Sequence, residues 1–414
     1  MDVQLERRNY LFSFLEAFFV SLMVGAGESY LPAFVHSLGF SELFLALVVT
    51  LPMFIGACLQ IIFLKISRFF KFYKSAISFF VSIQIFSLFV LTLVSIFRIK
   101  NEILVLAIVS IYWACGFLVN SLWNQWMGFH LKEHQVSKFF SIRIWFSQLG
   151  IFTGLIVGGL IVRDKWDING RIDGFTILFL ISLLFRSLSL LLIQSFKEEA
   201  KAAMNFLDLK KVFSFFTHVK FRNFFAFLSF FYIVIFISSP FVNPYLLSQL
   251  KMSYTNYMIT VAGLLAGKLI SLIVAEKIML KVGAVRVFLL GAICLSPLPG
   301  FWLVSDTFLF VMTLQFFSGI GWGLFEFGLT VLLFKQISHL DKVPFFTVHY
   351  FFNSLSINIG AAVGMIWFFF NETTIANYYL IFLVGSILRT LISIYYSFFN
   401  FGKPKLLEFS NDRH

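Results

Sequence analysis

The sequence predicts an all-α polytopic membrane protein, with twelve transmembrane helices in two six-helix pseudo-symmetric halves. Three observations carry this. First, of 414 residues 59% are hydrophobic and only 13% charged, with a mean hydropathy of +0.90. So few charges cannot cover the surface of a soluble domain. Second, the apolar residues fall into runs of about 20, the length of helix that crosses a bilayer. Third, the runs group six and six around one long polar connection, and patterns of the first group return in the second.

Taken in order, the spans are expected over 10–35, 43–64, 74–97, 103–129, 139–162, 174–195, 223–249, 255–276, 284–304, 307–334, 344–370 and 376–399. The first follows Arg7-Arg8. It is too long for the apolar part of a signal peptide and lacks a small-residue cleavage site, so it reads as a retained span. Segment 196–222 is the longest polar connection. Within it Met204, Phe206, Leu207, Leu209, Val212 and Phe213 suggest a helix lying on the membrane surface. The expected organisation is therefore a first half over 1–195, a cytoplasmic linker over 196–222, a second half over 223–400 and a tail over 401–414.

Lys and Arg set the orientation. The outer loops hold Arg98, Lys100, Arg163, Lys165, Arg171 and Lys251, and the inner segments hold far more. Both termini are placed in the cytoplasm, and a bacterial inner membrane is the expected location. The net charge of +12 belongs to this topology and does not point to nucleic acid as a partner. Cys58, Cys115 and Cys294 lie inside apolar runs and read as small buried hydrophobes. The His, Cys and carboxylate residues show no metal spacing, and there is no Gly-x4-Gly-Lys-Ser/Thr loop. No metal or cofactor is expected. Nor is an enzyme: serines are plentiful, but none is evidently paired with a base at membrane depth.

The internal repeat is read from three matches. Pro32-x5-Leu38-x2-Ser41 returns as Pro244-x5-Leu250-x2-Ser253. Ser67-Arg68-Phe69-Phe70-Lys71 corresponds to Leu280-Lys281-Val282-Gly283-Ala284, and Phe185-Arg186-Ser187-Leu188 to Leu388-Arg389-Thr390-Leu391. The matches keep their order. In transporters built this way, sites lie where the repeats meet, near the midplane.

At this point the chain resembles the major facilitator superfamily of transporters, over its whole length. That family's loop between spans 2 and 3 reads Gly-x4-Asp-Arg-x-Gly-Arg-Arg. Here Ser67 stands at the Asp and Phe70 at the Gly, while Arg68, Lys71 and Lys74 keep the basic character. The second-half loop keeps Lys281 and Gly283, with Leu280 at the acidic position. In span 5, Gly150-x3-Gly154-Leu-x2-Gly158-Gly159 is similar to the family's antiporter motif, with Leu155 at its proline. Gly150, Gly154 and Gly158, spaced i, i+4 and i+8, also form a flat groove for a neighbouring helix.

The resemblance implies that spans 1, 4, 7 and 10 line a central cavity. Each carries a mixed stripe at helical spacing. The stripes are Ala17, Ser21, Gly25, Glu28 and Pro32; Trp113, Gly116, Asn120 and Asn124; Tyr232, Phe236, Ser239 and Asn243; and Gln315, Gly319, Trp322 and Glu326. Gly25, Trp113, Asn120, Asn124, Tyr232, Ser239, Asn243, Lys268, Gln315 and Trp322 are candidates for substrate contact. Glu28 and Glu326 are the candidates for proton coupling. A carboxyl at membrane depth usually carries function, and one solvated differently in two states can load and release protons. Pro32 is expected to disturb the helix just beyond Glu28. Lys268 could meet a substrate carboxylate or phosphate, or one of the buried glutamates. Glu16 reads as one partner of a structural pair. Arg143, Trp123 and Trp126 are read as gate or structural residues, and the tryptophans alternatively as interface anchors. Arg186 and Arg389 repeat between the halves, which favours packing or snorkelling to the surface.

The expected function is secondary active transport of a small solute by alternating access, coupled to a proton or another ion. The expected substrate is amphipathic or aromatic. Uptake or export of a small organic anion, or of a sugar, by the same fold is the alternative, and a non-transporting membrane receptor or scaffold is the alternative of another class. A lipid bilayer surrounds the chain, which is expected to act as a monomer.

Overall fold

The computed structural model describes residues 3–40, 42–67, 69–163, 167–168, 172–196, 212, 214–215, 219–338 and 340–401. Nearly all of the expected surface helix in 196–222, and the tail beyond residue 401, lie outside the described residues. Among those described, twelve helices are long and apolar enough to cross a membrane. They are span 1, Arg7–Ser37; span 2, Leu47–Ser67; span 3, Tyr73–Ile96; span 4, Glu102–His130; span 5, Glu133–Val162; and span 6, Gly174–Ser195. After the linker come span 7, Phe224–Gln249; span 8, Asn256–Val282; span 9, Ala284–Phe301; span 10, Phe308–Gln336; span 11, Lys342–Phe370; and span 12, Ile375–Ser397.

Close backbone contacts divide the chain into two compact units. One holds Met1–Lys132, Ile142–Val212 and Ser338–Phe351; the other holds Glu133–Ser141, Phe213–Ile337 and Phe352–His414. Each unit thus takes in the first residues of a span otherwise assigned to the other: span 11 in the first unit, span 5 in the second.

In the first unit, span 1 is broken. The helix Val3–Ala26 ends, a single 3-10 turn covers Glu28–Tyr30, and a short helix runs Leu31–Ser37. The disturbance falls on the turn before Pro32, at Glu28 and just beyond it, as expected. The proline ring has no N–H and clashes with the carbonyl of residue i−4, which is Glu28. The freed groups find partners close by. Tyr30 N bonds Gly27 O at 3.0 Å, and the Ser29 hydroxyl donates to Val24 O at 3.0 Å. One end of the unit packs around Phe34 and Phe179, whose rings meet edge to face at 4.9 Å. Asp173 caps span 6, accepting from Thr176 N at 2.9 Å.

In the second unit, span 7 is broken at the matching place. The helix Val219–Ser238 gives way to a 3-10 turn at Ser239–Phe241, the short helix Val242–Pro244 and a π turn at Tyr245–Gln249. Pro240 and Pro244 are the cause here. Tyr245, Trp302, Val311 and Phe382 are buried beside it.

Small residues set the helix spacing in both units. A side chain at Gly150 would meet Phe18 O, one at Gly154 would meet Leu22 O, and one at Gly158 would enter the Tyr30 ring. Spans 1 and 5 therefore touch backbone to backbone. In the second unit, Gly360 and Gly364 of span 11 face Ile233 O and Ile237 O of span 7 in the same way. Tyr30 closes the first contact, its hydroxyl donating to Leu155 O at 2.7 Å.

A Cβ branch at Gly154 must push two helices apart. Gly154→Val is expected to cost about 1–3 kcal/mol, read as a lower Tm of the purified protein. Ile156→Val, on the exposed side of the same span, is the control expected to change Tm little. Equal melting of the two variants would refute the close contact.

Candidate functional site

The break in span 1 places Glu28 where a continuous helix would not. Tyr112 of span 4 donates to Glu28 Oε2 at 2.8 Å. Tyr112 is buried, and its hydroxyl also lies 3.7 Å from Met23 Sδ. Leu31, Leu88, Leu91, Val109 and Phe179 complete a pocket of about 300 Å³ around the carboxylate and the phenol. Among the described residues, no ion pair reaches Glu28.

Glu326 of span 10 has a different setting. Lys268 Nζ of span 8 lies 2.8 Å from Glu326 Oε1. The same ammonium sits 5.8 Å from the centre of the Trp322 ring. Backbones approach closely here, because a side chain at Gly319 would meet Leu264 O and one at Gly267 would meet Phe316 O. Of the partners considered for Lys268, the structure provides the glutamate.

Three sequence candidates of the second unit share one cavity. Ser239, Gln315 and Trp322 line a space of about 440 Å³, together with Trp302, Ser318 and Arg389. Tyr232 and Trp322 both pack edge to face on Phe325, at 6.0 and 5.9 Å. Asn243 is exposed, beyond the break. In the first unit, Gly25 packs on Ile151 O, and Trp113 packs on Phe117 at 5.3 Å. Asn124 donates to Asn120 O at 2.8 Å and to Asn120 Oδ1 at 3.0 Å, so its amide is taken up within span 4.

Arg143 belongs to a buried charge cluster. Its Nη2 lies 2.7 Å from Glu16 Oε2, its Nη1 donates to the Ser13 hydroxyl at 2.7 Å and to Ser13 O, and its guanidinium stacks 3.8 Å over Trp123. The other Glu16 oxygen accepts from Ser189 at 3.3 Å and has Arg186 Nη1 at 3.9 Å. Arg186 also donates to Gln84 Oε1 and to Ser189. Trp123 and Trp126 are 5% and 0% exposed, so both rings pack inside the protein. Next to them Gln125 receives Val343 N at 2.9 Å and donates to Tyr73 Oη at 2.8 Å.

Sequence reasoning passed over Tyr112, Gln84 and Gln60. The usable signal was that a phenol or amide at membrane depth must find a partner. Gln60 does so on Ser121 and Thr347, at 2.9 and 3.2 Å.

No family model matches the sequence, and no curated protein matches it. Solved structures do. The human organic anion transporter TETRAN superposes with a TM-score of 0.74 at 13% identity, over 94% of this chain and 99% of that one. The chain has the major facilitator fold. A bacterial homologue of the iron transporter ferroportin in the outward-facing state gives 0.71 at 12% identity, over 94% and 98% of the two chains. The E. coli fucose:proton symporter FucP gives 0.68 at 12%, over 93% and 98%. Within that fold, Glu28 stands at the break of span 1, Lys268 and Glu326 pair spans 8 and 10, and Arg389 of span 12 reaches the break of span 7.

Glu16 pairs with one part-buried and one buried arginine, so its loss leaves charge uncompensated. Glu16→Gln is expected to cost about 3 kcal/mol, read as a lower Tm. In an Arg143→Gln background the same change should cost clearly less. Strictly additive losses would show that the two groups are not coupled.

Proposed function

We propose that the chain is a secondary transporter that moves a small solute by alternating access, with a proton as the coupling ion and Glu28 as the group that carries it. The setting of Glu28 supports this reading above all else. The carboxylate stands at a backbone break inside a span, among apolar side chains, with one phenol as donor. No cation fixes its charge among the described residues, so its charge state depends on whether water reaches it. Glu326 is the weaker candidate, because Lys268 already neutralises it. Bending at Gly27–Tyr30 would carry the carboxylate away from Tyr112 and expose it. That is the differential solvation a coupled carrier needs. One structure with this fold is a fucose:proton symporter.

For the solute, the cavity of the second unit favours an amphipathic molecule. Two indoles face a serine, an amide and an arginine there. Small-molecule sites combine an apolar lining with a few placed polar groups in the same way.

The test uses purified protein. A thermal-shift screen of metabolites and lipids finds a ligand, because a ligand stabilises the state it binds. The protein is then placed in liposomes loaded with a pH-sensitive dye. Addition of that ligand should acidify or alkalinise the lumen with wild type. Glu28→Gln should still bind the ligand but move no protons, and Glu326→Gln should move them. Proton movement by Glu28→Gln at the wild-type rate would remove Glu28 from the role.

A further inference from the structure

We propose that the cavity at the break of span 7 is a binding subsite for the carboxylate of an amphipathic organic acid, with Arg389 as its counter-charge. The inference deepens the transporter reading by naming the substrate class, and rests on that reading only for the purpose of binding.

Arg389 of span 12 is 5% exposed. A guanidinium offers five N–H donors. All of the protein's acceptors here go to one nitrogen: Nη2 bonds Ile235 O at 2.8 Å, the Ser238 hydroxyl at 2.7 Å and the Ser239 hydroxyl at 3.2 Å. Nε is buried with no partner. Among the described residues Nη1 makes no protein hydrogen bond either, and no carboxylate pairs with the side chain. An unpaired buried charge is costly, so buried charges are normally matched by an opposite one.

The repeat supplies the control. Arg186 stands at the corresponding place in span 6, also buried, at 3% exposure. Its guanidinium is filled by the protein: Nε and Nη2 donate to Gln84, Nη1 donates to Ser189, and Glu16 lies 3.9 Å away. One half satisfies its arginine from within. The other half leaves donors of the same group unused beside a cavity.

The cavity fits an organic anion better than an inorganic one. Arg389 and the hydroxyls of Ser238, Ser239 and Ser318 form a polar side, with the Gln315 amide among them. Trp302, Trp322 and Leu298 supply flat apolar walls. A planar guanidinium matches a planar carboxylate, and the indoles would cover an aromatic or alkyl body.

The test reads binding to the full chain in detergent, by thermal shift and tryptophan fluorescence. The probes are 3-phenylpropionate, its neutral amide and inorganic phosphate. Wild type should bind the acid about tenfold or more tighter than the amide, and phosphate more weakly than the acid. Arg389→Lys should keep part of that preference, Arg389→Gln should abolish it, and Lys268→Gln should keep it. If Arg389→Gln does not fold, Ser318→Leu takes its place. It fills the cavity from span 10 and should weaken the acid about tenfold. The proposal is overturned by equal affinity for acid and amide, by no binding of the acid, by phosphate binding as tightly as the acid, by unchanged affinity in Ser318→Leu, or by a preference that is lost with Lys268 and kept without Arg389. Binding in detergent does not depend on proton movement, so failure of the coupling role of Glu28 and failure of this subsite are read separately.

Discussion

A backbone carbonyl released from a helix inside hydrocarbon has no water to turn to. That constraint organises this chain. Among the described residues spans 1, 7 and 9 are interrupted, and the breaks of spans 1 and 7 are re-bonded on the spot. In span 1 a 3-10 turn and the Ser29 hydroxyl take up the freed groups. In span 7 a π turn and an arginine from span 12 do so. Such a repair needs close neighbours, and the glycines of spans 5 and 11 let those neighbours approach to backbone contact. Glu28 and Ser239 stand at these breaks, and Arg389 reaches the break of span 7 from span 12.

Charge is then sorted by surroundings. Glu16 has two guanidinium groups around it and is fully engaged. Glu326 has one ammonium. Glu28 has a phenol. The three carboxylates lie on helices of similar hydropathy and differ in their neighbours. They therefore range from doubly paired, through singly paired, to hydrogen-bonded with no cation among the described residues. The arginines show the same gradation, from Arg186 with its donors shared out to Arg389 with donors unused.

The twelve spans were legible because the length of an apolar run is local information. So was the tight face of span 5, since Gly150, Gly154 and Gly158 repeat at helical spacing. The break of span 1 was legible too, because the ring of Pro32 acts on the carbonyl of Glu28. The site was less legible. Pairing Lys268 with Glu326 requires the rotation and depth of two helices, which neither sequence stretch contains. Tyr112 was hidden by its neighbour. The stripe was drawn through Trp113, and adjacent residues point about 100° apart on a helix. Arg186 and Arg389 look alike in sequence. What separates them is Glu16 and Gln84, far away in the chain.

The bond from Arg389 to Ile235 O has a consequence for how long anything stays. That carbonyl lies in the last turn of the helix Val219–Ser238, an end that carries partial negative charge. The arginine is thus held by a half-charge before any ligand arrives, and its attraction for an anion is reduced by that much. A full carboxylate partner would make a deep trap. A helix end would make a shallower well.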